Sequence, residues 1–376
     1  MEYAYNSEDL EANLVLGESS YRGICNLDND IHPMWNWERF RAGNAQDEVR
    51  MLKRNSIAWD RSTTRLDKRT YQRMEPGLRL ASLFLEHSGP FFSQLLHGQL
   101  QFPELRRLQP YGPLEEWRVR SVNVVGNPHN LEPLFGTQLK KFADHVAETS
   151  LIYVPSNNTV GDAWAENRTT LDDRCRYAIA LGSVFTDVIC QPQWHKISAQ
   201  SRRYYNFQLA VTLVHELAHV AWRYRRWDDI LLTPSTEHEE AVLSPDEEQI
   251  ELGQSWEIWF FGGELRPIDT DEEPPRWLGF AFCPFTIDSG NEESIAYRDC
   301  RFGGHAITAL CINRFFQKQR WEAHIDGSVP FAIDLTTVSS LTSYPWDADI
   351  DDGFLFRMTL NNENQTDPRP PLVEEP

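Results

Sequence analysis

Long apolar runs are missing from the sequence. No stretch of about 18 apolar residues occurs in its 376 positions, so no membrane-spanning helix is expected. The opening, MEYAYNSEDLEANLVLG, lacks the basic and apolar segments of a secretory signal, and a cytoplasmic location is the expectation. Cysteine is sparse. Six are scattered, at 25, 175, 190, 283, 300 and 311. No CxxC pair occurs, which excludes a zinc knuckle and a thioredoxin-like motif. Reduced and mostly buried thiols are expected. Positive charge is also short: 36 Lys and Arg against 56 Asp and Glu, a formal net charge of −20. That balance speaks against nucleic acid as a partner, and against an anionic membrane. No G-x-S-x-G elbow, P-loop or G-x-G-x-x-G is present, so those routes to hydrolysis and nucleotide binding are not encoded.

What is present is core material. Hydrophobic residues make up 41% and aromatics 12%, with 13 Trp, so the chain as a whole folds. The pattern predicts short helices at Gln46–Arg54, Leu66–Arg73, Gly77–His87 and Pro90–His97. Residues 101–131 hold four Pro and two Gly and read as an irregular linker. A helix is expected over Leu134–Thr149. Arg176–Leu181 and Val184–Gln191 read as strands joined by a tight turn at Gly182-Ser183. A long helix follows over Ser198–Arg226. Ser244-Pro245-Asp246-Glu247 is a capping box that predicts a helix from 245 to Phe261, stopped at Gly262-Gly263. A last helix is expected at Ala306–Trp321, and 361–376 reads as a disordered acidic tail.

The chemistry lies in the long helix. Residues 207–222 are Phe-Gln-Leu-Ala-Val-Thr-Leu-Val-His-Glu-Leu-Ala-His-Val-Ala-Trp. His215 and His219 stand at i and i+4, so both imidazoles can reach one metal ion from one helix face. Glu216 beside them can take a proton from water. No other ionisable residue occurs in this segment. A pair of ordinary core histidines would leave three ionisable groups in an apolar setting, whereas a divalent cation satisfies all three.

Thr212 to Ala221 resembles the extended signature of the zincin metallopeptidases. The metzincin subgroup is excluded, since Trp222 and Arg225 stand where its pattern needs Gly and His, and no Met lies between Met74 and Met358. The resemblance is therefore to gluzincins, whose third ligand is a Glu on a second helix. Here it points to Glu251, which resembles the Glu that precedes a small residue in the third-ligand helix of that group, with Gly253 allowing close approach of the helices. Glu248 lies nearer the centre of the apolar face, and Glu257, Asp229 and Glu240 are further candidates. Glu257 also suits a carboxylate that orients a ligand histidine. The run ELGQSWE followed by FGG resembles uncharacterised HExxH proteins of fungal type.

The resemblance implies an α+β, mostly helical fold: a zincin-like core, a small β-sheet preceding the HExxH helix, and an N-terminal helical extension. The implied division is 1–131 as a mostly helical region, 132–360 as the metal-binding catalytic domain and 361–376 as tail. Zn2+ would be held by His215, His219 and Glu251. Glu216 would be the general base, and Tyr297 or His305 would stabilise an oxyanion, with His324 and Tyr344 as further donors. The expected activity is hydrolysis of a peptide or small amide. Two other readings are a metal-stabilised acidic scaffold without catalysis and a zinc hydrolase of a small molecule. The charge bears on substrate choice. Residues 237–251 hold seven acidic side chains and no Lys or Arg, and 269–273 and 347–352 hold four each. The acidity is concentrated after the motif helix, which favours neutral or basic substrates.

Overall fold

The computed structural model describes residues 25–42, 64–100, 104–108, 115–123, 140, 142, 152–155, 161–165, 177–181, 185, 188–189, 192–226, 237–243, 251–269, 277–284, 303–307, 309–322, 333, 339–345 and 354–359. In chain order these form β1 (Arg41–Ala42), β2 (Thr64–Arg65), α1 (Lys68–His87), α2 (Gly89–His97), β3 (Gln99–Leu100), β4 (Glu104–Leu108) and β5 (Glu115–Asn123). Next come β6 (Ile152–Pro155), β7 (Gly161–Ala165), β8 (Tyr177–Leu181), α3 (Ala199–Arg226), β9 (Glu237–Val242) and α4 (Leu252–Phe261). The remainder is β10 (Gly263–Asp269), β11 (Trp277–Pro284), β12 (Gly303–Ile307), α5 (Ala309–Phe315), α6 (Lys318–Glu322), β13 (Ser339–Pro345) and β14 (Phe354–Thr359). Helices supply most of the described core, in keeping with a mostly helical α+β chain.

α3 is the central element. Leu209, Val211, Leu213, Val214, Leu217 and Val220 are buried all round its axis, as a helix with apolar residues on every face must be. α1, α2, α4, α5 and the sheet strands β7 and β8 pack on it. Phe84 of α1 sits among Phe207, Trp256, Phe260, Phe261, Phe315 and Trp321, with ring centroids 5.1–6.1 Å apart. This aromatic cluster joins α1, α3, α4, α5 and α6.

α1 merges two expected helices into one. Its start is set by Asp67, whose carboxylate accepts from Thr70 N at 3.0 Å. Pro76 lies inside the helix and removes one amide donor. The next amide, Gly77 N, donates to Asn206 Oδ1 of α3 at 3.0 Å. A Cβ at Gly77 would stand 2.7 Å from Asn206 O. The two helices therefore meet backbone to backbone at the point where the sequence reads as a break.

Among the described residues there are three larger sheets and the two-stranded β1–β2 pair. β8 lies between β6, parallel to it, and β7, antiparallel to it. A small sheet thus precedes the motif helix, as expected. In the expected hairpin partner at 184–191 the described residues, Phe185, Val188 and Ile189, are helical. β8 finds its partners upstream in sequence instead, and the three apolar side chains are buried. The expected linker at 101–131 contains β4 and β5, paired antiparallel, and β5 also pairs in parallel with β9. Its Pro and Gly residues flank the strands instead of preventing them. Residues on both sides of position 131 thus share one sheet and one core.

β10 to β14 form an antiparallel meander in sequence order. The expected helix Ala306–Trp321 begins as β12, with His305 paired to Phe282 and Ser340. It then breaks into α5 and α6 around Phe316 and Gln317, where the amides turn back to Asn313 O and Arg314 O. The expected stop at Gly262 is in place, with φ 84° and its amide donating to Ile258 O. Arg225, at the end of α3, donates to Leu95 O at 2.7 Å and to Gly98 O. Its guanidinium closes the carbonyl end of α2. Neither Cys25 nor Cys311 is in a disulfide. Among the described residues no helix is long and apolar enough to cross a membrane. Gln46–Arg54 and the 361–376 tail lie outside the described residues, as does Leu134–Thr149 apart from Lys140 and Phe142, which are helical.

Candidate metal centre

His215 and His219 project from adjacent turns of α3, their ring centroids 5.4 Å apart. The third group arrives from the start of α4. Glu251 has extended backbone, φ −149° and ψ 103°, and is the N-cap residue of that helix. The expected continuous helix from 245 to 261 is therefore corrected: α4 begins at Leu252, and 244–250 lie outside the described residues. A cap position requires non-helical dihedrals, and Glu251 takes them while its carboxylate accepts from Gly253 N and Gln254 N. The same carboxylate faces the histidines. Oε1 lies 3.3 Å from His215 Nε2 and 2.5 Å from His219 Nε2. One ligand atom from each of the three residues falls within 4.8 Å of the others.

Gly253 permits this approach. A Cβ on it would overlap the ring of His215 at Cδ2, Cγ and Nε2. No other residue fits unless α4 moves away from α3.

The outward nitrogens are anchored as well. His215 Nδ1 is 2.8 Å from Glu257 Oε1, and His219 Nδ1 is 2.6 Å from Glu240 Oε1. Each of these carboxylates has its second oxygen engaged by a backbone amide. Leu265 N of β10 donates to Glu257 Oε2 at 2.8 Å, and Leu252 N donates to Glu240 Oε2 at 3.3 Å. The carboxylates fix both rings with Nε2 turned toward Glu251. Side-chain exposure decides which end of this arrangement meets solvent. Glu251 and His215 are 23% and 21% accessible, while Glu257 is 6% accessible. Glu251 and His215 lie at the more open end and Glu257 at the closed one.

The electrostatics follow from this packing. Burial disfavours a charged imidazole, but the carboxylates of Glu240 and Glu251 outweigh it and push His219 up to about 10. For His215 burial acts the same way, and Glu251 and Glu257 hold it well above its ordinary value. Burial would raise Glu251, yet the two histidines keep it well below the usual carboxylate range.

The donors suit a transition metal. Two imidazole nitrogens and one carboxylate oxygen match the three-ligand set that leaves a position open on zinc. Imidazole donors argue against calcium and magnesium, which take oxygen. The glycine that clears space for the His215 ring and the carboxylates behind both rings would serve such a site. Glu216, next to His215, is 5% exposed.

Of the other expected residues, Glu257 stands behind His215 as an orienting carboxylate. Glu240, weighed in the sequence only as a ligand, stands behind His219. Nothing in Glu-His-Glu-Glu-Ala-Val marks that role, since it depends on β9 lying across the start of α4. His305 is on β12, and its side chain lies outside the described residues, as do Tyr297, Glu248 and Asp229 altogether. No protein-family profile, curated protein or solved structure matches the chain.

Proposed function

We propose that the chain is a zinc-dependent hydrolase, a metallopeptidase-like enzyme that cleaves an amide bond in a peptide or small amide. The reading rests on the convergence of His215, His219 and Glu251 with both Nδ1 atoms held by carboxylates. His215 and His219 would hold the ion through Nε2, and Glu251 through its carboxylate. Bound zinc would supply Lewis acidity toward water and toward the scissile carbonyl.

The chain's own residues do the rest. Glu216 follows His215 directly and is nearly enclosed, which suits a carboxylate that takes a proton from the attacking water and returns it to the leaving amine. Glu257 and Glu240 keep the imidazole rings from turning. β8 and β7, packed on α3, support a zincin-like core, because a small sheet precedes the motif helix there. The acidic stretches at 237–251 and 269–273 favour neutral or basic substrates over acidic ones.

The test joins metal analysis with Glu216→Gln. One zinc per chain in both proteins, with cleavage of a peptide library by the wild type alone, is the expected result. Zinc in both proteins with cleavage by neither overturns the peptidase reading and favours a metal-stabilised scaffold or a zinc hydrolase of a small molecule. No zinc in the wild type overturns the metal centre itself.

A further inference from the structure

α3 carries a second pattern beside its metal-binding face. Gln200, Tyr204, Gln208, Thr212 and Glu216 recur every four residues, and all are at most 5% exposed. Such an i+4 series forms one ridge of a helix. The ridge runs polar through a helix whose other core positions are largely apolar, and it ends at the residue assigned as general base.

The hydrogen bonding along it is incomplete in a specific way. Gln208 Nε2 donates to Thr212 Oγ1 at 3.4 Å, and Gln208 Oε1 has no partner. Gln200 Oε1 accepts from Asn313 Nδ2 at 2.9 Å, and Gln200 Nε2 has no partner. One unmet atom is an acceptor and the other a donor. Reversing the Gln208 amide only moves its unmet atom from oxygen to nitrogen. Reversing Gln200 would set two NH2 groups against each other. Asn313 Oδ1 in turn accepts from Arg203 Nη1 at 3.1 Å, and Arg203 reaches solvent. The two unmet amides are eight residues apart, about 12 Å along the axis, with Tyr204 midway.

We infer that this ridge binds a short file of buried water leading from the Arg203–Asn313–Gln200 end to Glu216. Water is the ligand that meets an unpaired donor and an unpaired acceptor alike, and buried polar groups in folded proteins are met in this way. The role of the file rests on the hydrolase reading. Hydrolysis consumes one water for each bond cleaved. A substrate seated over the open, Glu251 end of the site would close that route. A file reaching Glu216 through the core resupplies water while the substrate is bound. Gln208 and Thr212 are then positioning residues for water.

The first test is a crystal structure of the full chain at about 1.5 Å or better. Ordered waters within hydrogen-bond distance of Gln208 Oε1 and Gln200 Nε2 are expected, and dry amides overturn the proposal. The second is Gln208→Met, which keeps the volume and removes the amide. If water is bound, its Tm falls by about 1–3 °C because a partner is lost. If the site is dry, Tm rises because an unmet polar group is gone, and the proposal fails. The third is kinetic. Gln208→Met is expected to lower kcat several-fold with KM and zinc content unchanged, and an unchanged kcat removes the supply role. A chain that shows the waters and the fall in Tm but cleaves nothing would refute the hydrolase reading and the supply role, leaving the water site standing.

Discussion

Glu257 accepts from His215 Nδ1 at 2.8 Å while its other oxygen accepts from the amide of Leu265. Glu240 does the same for His219 and the amide of Leu252. Each carboxylate faces two N–H donors, so neither tolerates an amide. A glutamine would have to turn its NH2 toward one of them. Glu257→Gln and Glu240→Gln should each weaken zinc binding by about 10- to 100-fold. Competition with a chromophoric chelator measures this directly. Affinity within twofold of wild type would mean that the carboxylates do not set the ring orientation.

Gly253→Ala tests the approach of α4 to α3. The added methyl would fall on the His215 ring, so α4 must retreat and carry Glu251 with it. Zinc affinity should fall at least tenfold, and Tm should drop with it, since overpacking a buried contact costs about 1–3 kcal/mol. Normal zinc binding in a folded variant would show that the helices are free to separate without loss of the site.

Gly77→Ala provides the contrast. It strains a helix contact of the same kind, 2.7 Å from Asn206 O, on the ridge of α3 that includes Asn206. A loss of about 1–3 kcal/mol in urea unfolding is expected, with zinc affinity unchanged. If zinc affinity fell as far as in Gly253→Ala, distortion of α3 as a whole would explain both variants.

The sequence made the motif helix legible because its information is local. His215 and His219 are four residues apart, and a single apolar segment fixes both their face and their burial. Gly262 was readable for the same reason, because a left-handed stop needs glycine. The start of α4 was not readable. A capping box at 244–247 is a strong local signal, but Glu251 caps the helix because its carboxylate meets the histidines and two amides of α4 at once, and those histidines lie over thirty residues upstream. Pro76-Gly77 misled in the opposite direction. It reads as a break, yet the helix runs through it, with Gly77 N donating to the carboxamide of Asn206. The 184–191 segment has β-branched residues at Val184, Val188 and Ile189, yet β8 already has strands on both edges. Long-range partners decided each of these cases.

Asp67 gives a stability prediction with a defined pH window. Its side chain accepts from Thr70 Oγ1 and from Thr70 N, and these bonds, the hydroxyl's foremost, lower its pKa below 3.8. A depressed carboxylate contributes stability that is present above the unfolded pKa and lost as pH falls through the folded one. Asp67→Ala should therefore cost about 1 kcal/mol at neutral pH, and the gap to wild type should narrow below pH 3.8. Asp67→Asn keeps a capping oxygen and should lose the pH dependence but little of the stability. Urea midpoints at neutral and acid pH decide it; a gap that persists unchanged in acid would locate the effect elsewhere than in the carboxylate.

The proposed metal centre has its own pH signature, of opposite sign. The pKa of His219 is raised to about 10 and that of His215 is also raised, both by neighbouring carboxylates. In the metal-free protein the pairing of these imidazolium groups with Glu240, Glu251 and Glu257 is fully present below pH 6.5 and is lost as pH rises through the folded values. A metal competes with those protons, since imidazole binds it only when neutral at the ligating nitrogen. Zinc binding near pH 7 should release about one to two protons, and affinity should rise by roughly 10- to 100-fold per pH unit. Calorimetry in two buffers of different ionisation enthalpy counts the protons. Glu240→Gln removes one of the carboxylates that hold the His219 proton, so the pH at which proton release on zinc binding ends should fall. Release that ends at the same pH as in the wild type would mean that Glu240 does not hold that proton.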